Sequence, residues 1–280
     1  MMALRTGFNN LSPRLREAGR FILDRPREVA LYSMREAASR AGVHPTSMLR
    51  LARELGFDGY ESLREQFRVW LNTGDQAPWS KRAGDVRKHA AEYEVVDSLM
   101  QQETLNIASL ASADVYKTLL EAAARIRAAR HIYIIGLRSL YPVAFYLSYG
   151  FRMFMSNVTL INGIGGTFAD ELRTIESSDL LIAFSYEPYS RDTISSVEFA
   201  IRRGAGLIAI TDSIVSSISK EGQSTIVVSN ETPSLFHSIL PALAIAESLI
   251  ALLLVGGQEE TMAELKRSEE QLDAFGVYMR

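Results

Sequence analysis

"DLLIAFSYEPYSRDTISSVEFAIRRGAGLIAIT", Asp179–Thr211, holds two short apolar runs, "DLLIAFS" and "GLIAIT", on either side of a polar loop and a helix-period segment. Runs of six or seven apolar residues bounded by turn formers read as strands buried on both faces. The segment Thr193 to Arg203 between them places apolar residues at helical spacing. A strand, a crossover helix and a second strand form the unit from which parallel sheets are built.

The same grammar extends in both directions. "HIYIIG" and "NVTLI" precede the quoted stretch, and "STIVVS" follows it. Helical candidates lie near Leu140 to Met155, Phe168 to Ile175 and Leu235 to Leu254, with a weaker one at Ser216 to Glu221. Five parallel strands with helices on both faces are expected, and ligands of such sheets bind beyond the carboxyl ends of the strands.

The segment from Leu11 to Leu71 is helical in pattern throughout. "SPRLREAGRFIL" opens on a Ser-Pro cap and puts Leu15, Ala18, Phe21 and Ile22 on one face. Ser33 caps "MREAASRA", Gly42 ends it, and "VHPTSMLRLAREL" begins another helix with Pro45 in its first turn. Gly56 stops that helix, and Gly59 precedes "YESLREQFRVWL". Two helices joined by a short glycine-containing turn, the second bearing arginines, make helix-turn-helix the economical reading. In that motif the first turn of the second helix reads bases, which selects Thr46 and Ser47, with Arg50 and Arg53 following as phosphate contacts.

Charge agrees with this division. The whole chain of 280 residues carries a formal −3. Met1 to Asn72 holds twelve Arg and no Lys against eight acids, about +4, which leaves about −7 for the remainder. The absence of cysteine excludes disulfides, thiolate zinc sites and a catalytic thiol. His44, His89, His131 and His237 lack close ligand spacing, so neither a metal nor another cofactor is expected. The start "MMALRTGFNN" has no apolar signal region, and Ile239 to Val255 is short for a membrane span and contains Pro241 and Glu247. A cytoplasmic protein with no membrane partner is expected.

"AASRAGVHPTSMLRLARELGFDGYESLREQF" resembles the amino-terminal domain of the RpiR/MurR family of bacterial transcriptional regulators, through Gly42, Val43, Arg50, Leu55, Gly56, Phe57, Gly59, Tyr60 and Leu63. His44 departs from that pattern, standing where the family commonly has a serine cap. The resemblance implies an all-α helix-turn-helix domain followed by an α/β sugar isomerase (SIS) domain that senses a small, usually phosphorylated, sugar metabolite. The chain then divides into a DNA-binding domain over 1–76, a hinge and linker helix over 77–112, an effector domain over 113–258 and a helical tail over 259–280. The implied partners are a double-stranded DNA operator, a small anionic or carbohydrate-derived effector, and a second copy or more of the chain, as homodimer or homotetramer.

Two loops are similar to the family's ligand loops. "GLRSLYP" matches "GxGxS" at Gly136 and Ser139, with Arg138 replacing the second glycine, and Ser139 is expected to cap the following helix. "SYEPYS" matches "SxSGxT" at Ser185, with Ser190 standing in for threonine. Glu187 and Pro188 replace serine and glycine, so a negative charge is added and a backbone donor removed. Arg138 and Arg191 offer new planar donors, and Glu187 a new acceptor. This is expected to be an effector edge rebuilt for a different ligand, or an empty site in which Glu187 pairs with an arginine. Ser234, His237 and Ser238, after the fifth strand, are further candidates, with helix capping as the alternative, and "TDS" at Thr211 to Ser213 reads equally as a turn. No catalytic residue is assigned. The alternative function is a sugar-phosphate isomerase with a helical extension, in which Glu187 and His237 would serve as base and acid.

Overall fold

The computed structural model describes residues 11–73, 79–88, 91–257 and 259–279. The chain forms two compact units, Met1–Asp85 and Val86–Arg280. The candidate turn residues 74–76 and His89 lie outside the described residues.

Among the described residues the first unit is helical: α1 (Pro13–Asp24), α2 (Pro26–Leu31), α3 (Met34–Arg40), α4 (Pro45–Glu54), α5 (Tyr60–Thr73) and α6 (Trp79–Val86), the last running across the division. Leu15, Ala18, Phe21 and Ile22 are all buried, as their spacing on α1 requires. They join Val29, Ala37, Ala38, Met48, Leu51, Tyr60 and Leu63 in the interior. Ser12 precedes α1 without a side-chain cap bond, so Pro13 at the first helical position sets that start. Ser33 does cap α3: its Oγ accepts from Glu36 N, and the Glu36 carboxylate accepts from Ser33 N at 3.0 Å. Ser33 Oγ also donates to the Glu36 carboxylate at 2.6 Å, and that bond, then the one from Ser33 N, holds the Glu36 carboxyl below its usual value. Gly42, at φ +69°, supplies the left-handed residue that ends α3 and turns the chain into α4.

The second unit runs α7 (Glu92–Ala108), α8 (Ala113–Ala128), β1 (Ile132–Gly136), α9 (Tyr141–Arg152), β2 (Val158–Ile161), α10 (Phe168–Glu171), β3 (Leu180–Ser185), α11 (Arg191–Arg202), β4 (Gly206–Thr211), β5 (Ser224–Val227), α12 (Leu240–Val255) and α13 (Glu259–Ala274). All five strands are parallel in the order β2-β1-β3-β4-β5. Alternate residues face opposite layers, as the two-residue strand period demands. Ile132, Ile134, Ile182, Phe184, Ile208 and Ile210 pack with Ile126, Leu147 and Leu249 of α8, α9 and α12. On the other face Tyr133, Ile135, Leu181, Ala183, Leu207 and Ala209 pack with Val197 and Ala200 of α11.

Three sequence expectations are corrected. Ser216 to Glu221 forms turns, not a helix, because four of the seven residues from Ser213 to Ser219 are serines, whose hydroxyls bond locally, as in Ser219 N to Ser216 Oγ at 3.2 Å. The helix expected from Leu235 begins at Leu240, with Pro241 in its first turn. The helix Glu92–Ala108, read as part of a linker, packs on the second unit, where the buried Asn106 is bonded to the chain after β5. Among the described residues no single helix is long and apolar enough to cross a membrane. The most apolar, α12, buries Ala242, Ile245, Ala246 and Leu249 in the core.

Candidate functional site

Helix α4 is built to hold one face still and leave another open. Met48, Leu51 and Ala52 are fully buried, while Thr46, Arg50 and Arg53 are exposed at i, i+4 and i+7, one stripe of the helix. Ser47 lies half-buried beside that stripe. Neither Arg50 nor Arg53 has a hydrogen bond or ion pair among the described residues, whereas Arg25 and Arg40 pair with Glu28, and Arg64 and Arg68 with acids one turn before them. His44 does take the serine's place as cap: Thr46 N donates to its Nδ1 at 3.4 Å, and Thr46 Oγ lies 2.8 Å from the same nitrogen. Exposed, unpaired cations on a packed helix are what phosphate contact needs.

The other candidates gather at the carboxyl edge of the sheet, at the ends of β1, β3 and β5. Gly136 is buried, and a Cβ there would stand 2.9 Å from Ala144 Cβ and from Leu140 O. Its lack of a side chain lets α9 approach the strand. Arg138 adopts φ +58°, a left-handed conformation that favours glycine, and begins a 3-10 turn, Arg138–Leu140. Ser139 lies within that turn and does not cap α9, whose N-cap is Leu140 with no side-chain bond. The expectation for Ser139 is thus corrected: the extra turn carries it one residue too early to reach the helix amides.

Arg138, Ser139 and Arg191 are exposed, Glu187, Ser190, Ser234 and His237 are half-buried, and Ser185 is buried. Ser190 is the N-cap residue of α11, without a side-chain cap bond, and Arg191 is the first residue of the helix. Neither Arg138 nor Arg191 pairs with Glu187 or with any other described residue, so the arginine–Glu187 closure is corrected. Ser238 is buried and donates to the Glu103 carboxylate; Ser234 N donates to Thr232 Oγ1 at 3.1 Å.

Sequence reasoning undervalued Asp212. Its carboxylate accepts from Glu187 N at 3.3 Å and from Tyr189 Oη at 3.0 Å, tying the loop after β4 to the loop after β3. Thr211 Oγ1 donates to Ser185 O at 2.8 Å in the same seam. Also missed were Glu103 and Asn106 of α7. Asn106 Nδ2 donates to Glu231 O at 2.7 Å, and its Oδ1 accepts from Ser229 Oγ at 2.9 Å. Tyr186 is buried near both acids, and burial, then Asp212 and Glu103, push its phenol well above the usual range, so it stays protonated. An apolar-to-polar count cannot find such residues; the strand order brings Asp212 beside the loop after β3, and the packing of α7 brings Glu103 near Tyr186. Among the described residues no cluster of three or more metal-ligating side chains occurs.

Residues 125–252 match the SIS domain family model. An HTH-type transcriptional regulator from Haemophilus influenzae is 24% identical over 260 residues, 88% of this chain and 86% of its own. The HTH-type transcriptional regulator YfhH of Escherichia coli is 22% identical over 214 residues, 75% of this chain and 74% of its own. In structure the chain is similar to the Vibrio vulnificus NanR protein complexed with ManNAc-6P, with TM-score 0.54 and 20% identity over 99% of both chains. It is also similar to the sugar isomerase domain of an RpiR transcription factor from Sphaerobacter thermophilus, with TM-score 0.58 and 22% identity over 63% of this chain and 99% of that one.

Proposed function

We infer from a helix-turn-helix unit joined to a SIS domain that the chain is an RpiR/MurR-like DNA-binding transcriptional regulator, its operator affinity controlled by a small carbohydrate-derived metabolite in the SIS domain. The observation that carries the DNA half is the stripe of Thr46, Arg50 and Arg53, exposed on a helix whose opposite face is anchored by Met48 and Leu51. Thr46 and Ser47 face base edges in the major groove, and the two arginines hold phosphates. The cytoplasm, where the DNA is, is the proposed place of action.

The effector half rests on the carboxyl edge of the sheet, with Gly136, Arg138, Ser139, Ser185, Glu187, Ser190 and Arg191 around it and Ser234 and His237 beside it. Binding there biases the segment 229–238, and Asn106 and Glu103 pass that bias to α7 through the bonds from Glu231, Ser229 and Ser238. Coupling is reciprocal, so an effector that loosens operator binding is itself bound less tightly by the DNA complex.

A homodimer or homotetramer supplies the two half-sites of a palindrome. Exposed Phe145 and Tyr149 on α9 support an apolar self-contact of the SIS domain. Sedimentation of the full-length protein tests this; a monomer at micromolar concentration rules it out. Solved neighbours include one from Listeria monocytogenes described as a "putative sugar-phosphate isomerase". Turnover of aldose or ketose phosphates by this chain, lost on substitution of Glu187 or His237, would replace the sensor reading with the enzymatic one; no turnover is the expected result.

A further inference from the structure

The residue that caps α4 carries a group that capping does not use. His44 Nδ1 lies 2.8 Å from Thr46 Oγ1 and 3.4 Å from Thr46 N, whose amide has no partner within the helix. An amide N–H can only donate, so Nδ1 is an acceptor and bears no proton. The proton of the neutral imidazole is therefore on Nε2. Facing a nitrogen without a proton, the Thr46 hydroxyl donates its own, and Nδ1 takes the short bond from it together with the longer one from the amide.

A serine cap spends its only side-chain oxygen on the helix, whereas the imidazole keeps a second nitrogen on the far side of its ring. His44 is exposed, and Nε2–H has no partner among the described residues. The bond to Thr46 sets the ring at the head of the stripe formed by Thr46, Arg50 and Arg53. Those two arginines are the cations for phosphate, and an uncharged donor releases no counterion there. Base edges are what the head of a helix meets in this motif. Guanine presents two acceptors, O6 and N7, side by side in the major groove, while adenine sets an amino donor beside its N7 and cytosine offers an amino donor alone.

We propose that His44 is a specificity-determining residue of the helix-turn-helix unit: Nδ1 caps α4, the cap fixes the tautomer, and Nε2–H donates to a guanine in each half-site of the operator. The proposal rests on the reading of α4 as the DNA-binding helix. It gives one side chain two tasks, starting the helix and selecting a base, and it leaves affinity for the backbone to Arg50 and Arg53.

The test compares full-length wild type with His44→Ser, which keeps a capping oxygen and removes the Nε2 donor. Each protein is first used to select from random duplexes. The wild type should enrich a guanine at one position of each half-site, and the variant should accept any base there. On the selected duplex, replacing that guanine by adenine in both half-sites should weaken the wild type at least about tenfold, equivalent to about 1.4 kcal/mol, and leave the variant's affinity unchanged. His44→Thr, also a cap, is read in the same way if the serine variant does not fold. A variant that keeps the guanine preference overturns the proposal. So does a variant that binds every sequence more weakly by one common factor, since that marks a phosphate contact or a displaced helix. A wild type that enriches no duplex overturns the regulator reading and this proposal with it, whereas the first two outcomes leave that reading standing.

Discussion

The candidate recognition helix α4 and the carboxyl edge of the sheet present opposite kinds of surface. On α4 the functional candidates are what the fold leaves unspent: Arg50 and Arg53 are exposed and unpaired while Met48 and Leu51 hold the helix. At the sheet edge the informative groups are those already spent, Asp212 on Glu187 N and Tyr189 Oη, and Asn106 on the chain after β5. A duplex is large and uniformly charged, so free cations on a rigid face suffice to meet it. A small ligand is selected by which donors and acceptors remain, and that depends on every internal bond.

The contrast is sharpest between neighbouring residues of α4. Leu51→Ala removes a fully buried side chain and should cost about 3 kcal/mol of stability, taking operator binding with it as the unit loosens. Thermal unfolding of the full-length protein checks this. Arg50→Ala, one residue earlier, should leave the melting temperature within about a degree and lower the slope of log affinity against log salt by about one. If both variants lose stability equally, the two faces of the helix are not separate in role.

At the sheet edge, Arg138 is the place to probe strain. It holds φ +58°, where a side chain costs roughly 1 kcal/mol that glycine does not pay. Arg138→Gly should therefore be more stable than Arg138→Ala by about that amount in chemical denaturation. Equal stabilities would mean that the turn relaxes when the arginine is removed.

The smallest effect belongs to the cap of α3. Glu36 titrates below its usual value because Ser33 donates to its carboxylate. A folded value lowered in this way contributes stability that is present above the unfolded value and lost as pH falls through the folded one. Ser33→Ala should lower the melting temperature slightly at neutral pH and flatten the acid limb between about pH 5 and about pH 3, so that the two profiles converge at low pH. A profile identical to wild type would show that the box contributes nothing to the unit's stability.

What the sequence made legible follows the same division. The five apolar runs became the five strands, with "DLLIAFS" losing only Asp179, and the clearest are the central ones, where burial on both faces leaves no polar positions to blur the pattern. Ser33, Gly42 and Pro45 marked their turns through local chemistry that needs no distant partner. Asp212 was not legible: an aspartate after a strand reads as a turn residue until β4 lies beside β3 and brings it to Glu187. Arg138 was read as a donor, and its left-handed backbone was not foreseen. Ser213 explains the ambiguity of "TDS", since its Oγ takes the local bond from Val215 N at 3.3 Å and frees Asp212 for the neighbouring loop.

The central claim is that α4 reads DNA in a protein whose SIS domain governs it. Selection from a pool of random duplexes by the full-length wild-type protein, run beside the Arg50→Ala, Arg53→Ala double variant, tests it most directly. The account expects the wild type to enrich a two-fold symmetric sequence with half-sites about one helical turn or a multiple apart, bound with steep salt dependence, and the double variant to enrich none. Enrichment of the same sequence with the same salt dependence by both proteins, or by neither, would contradict it.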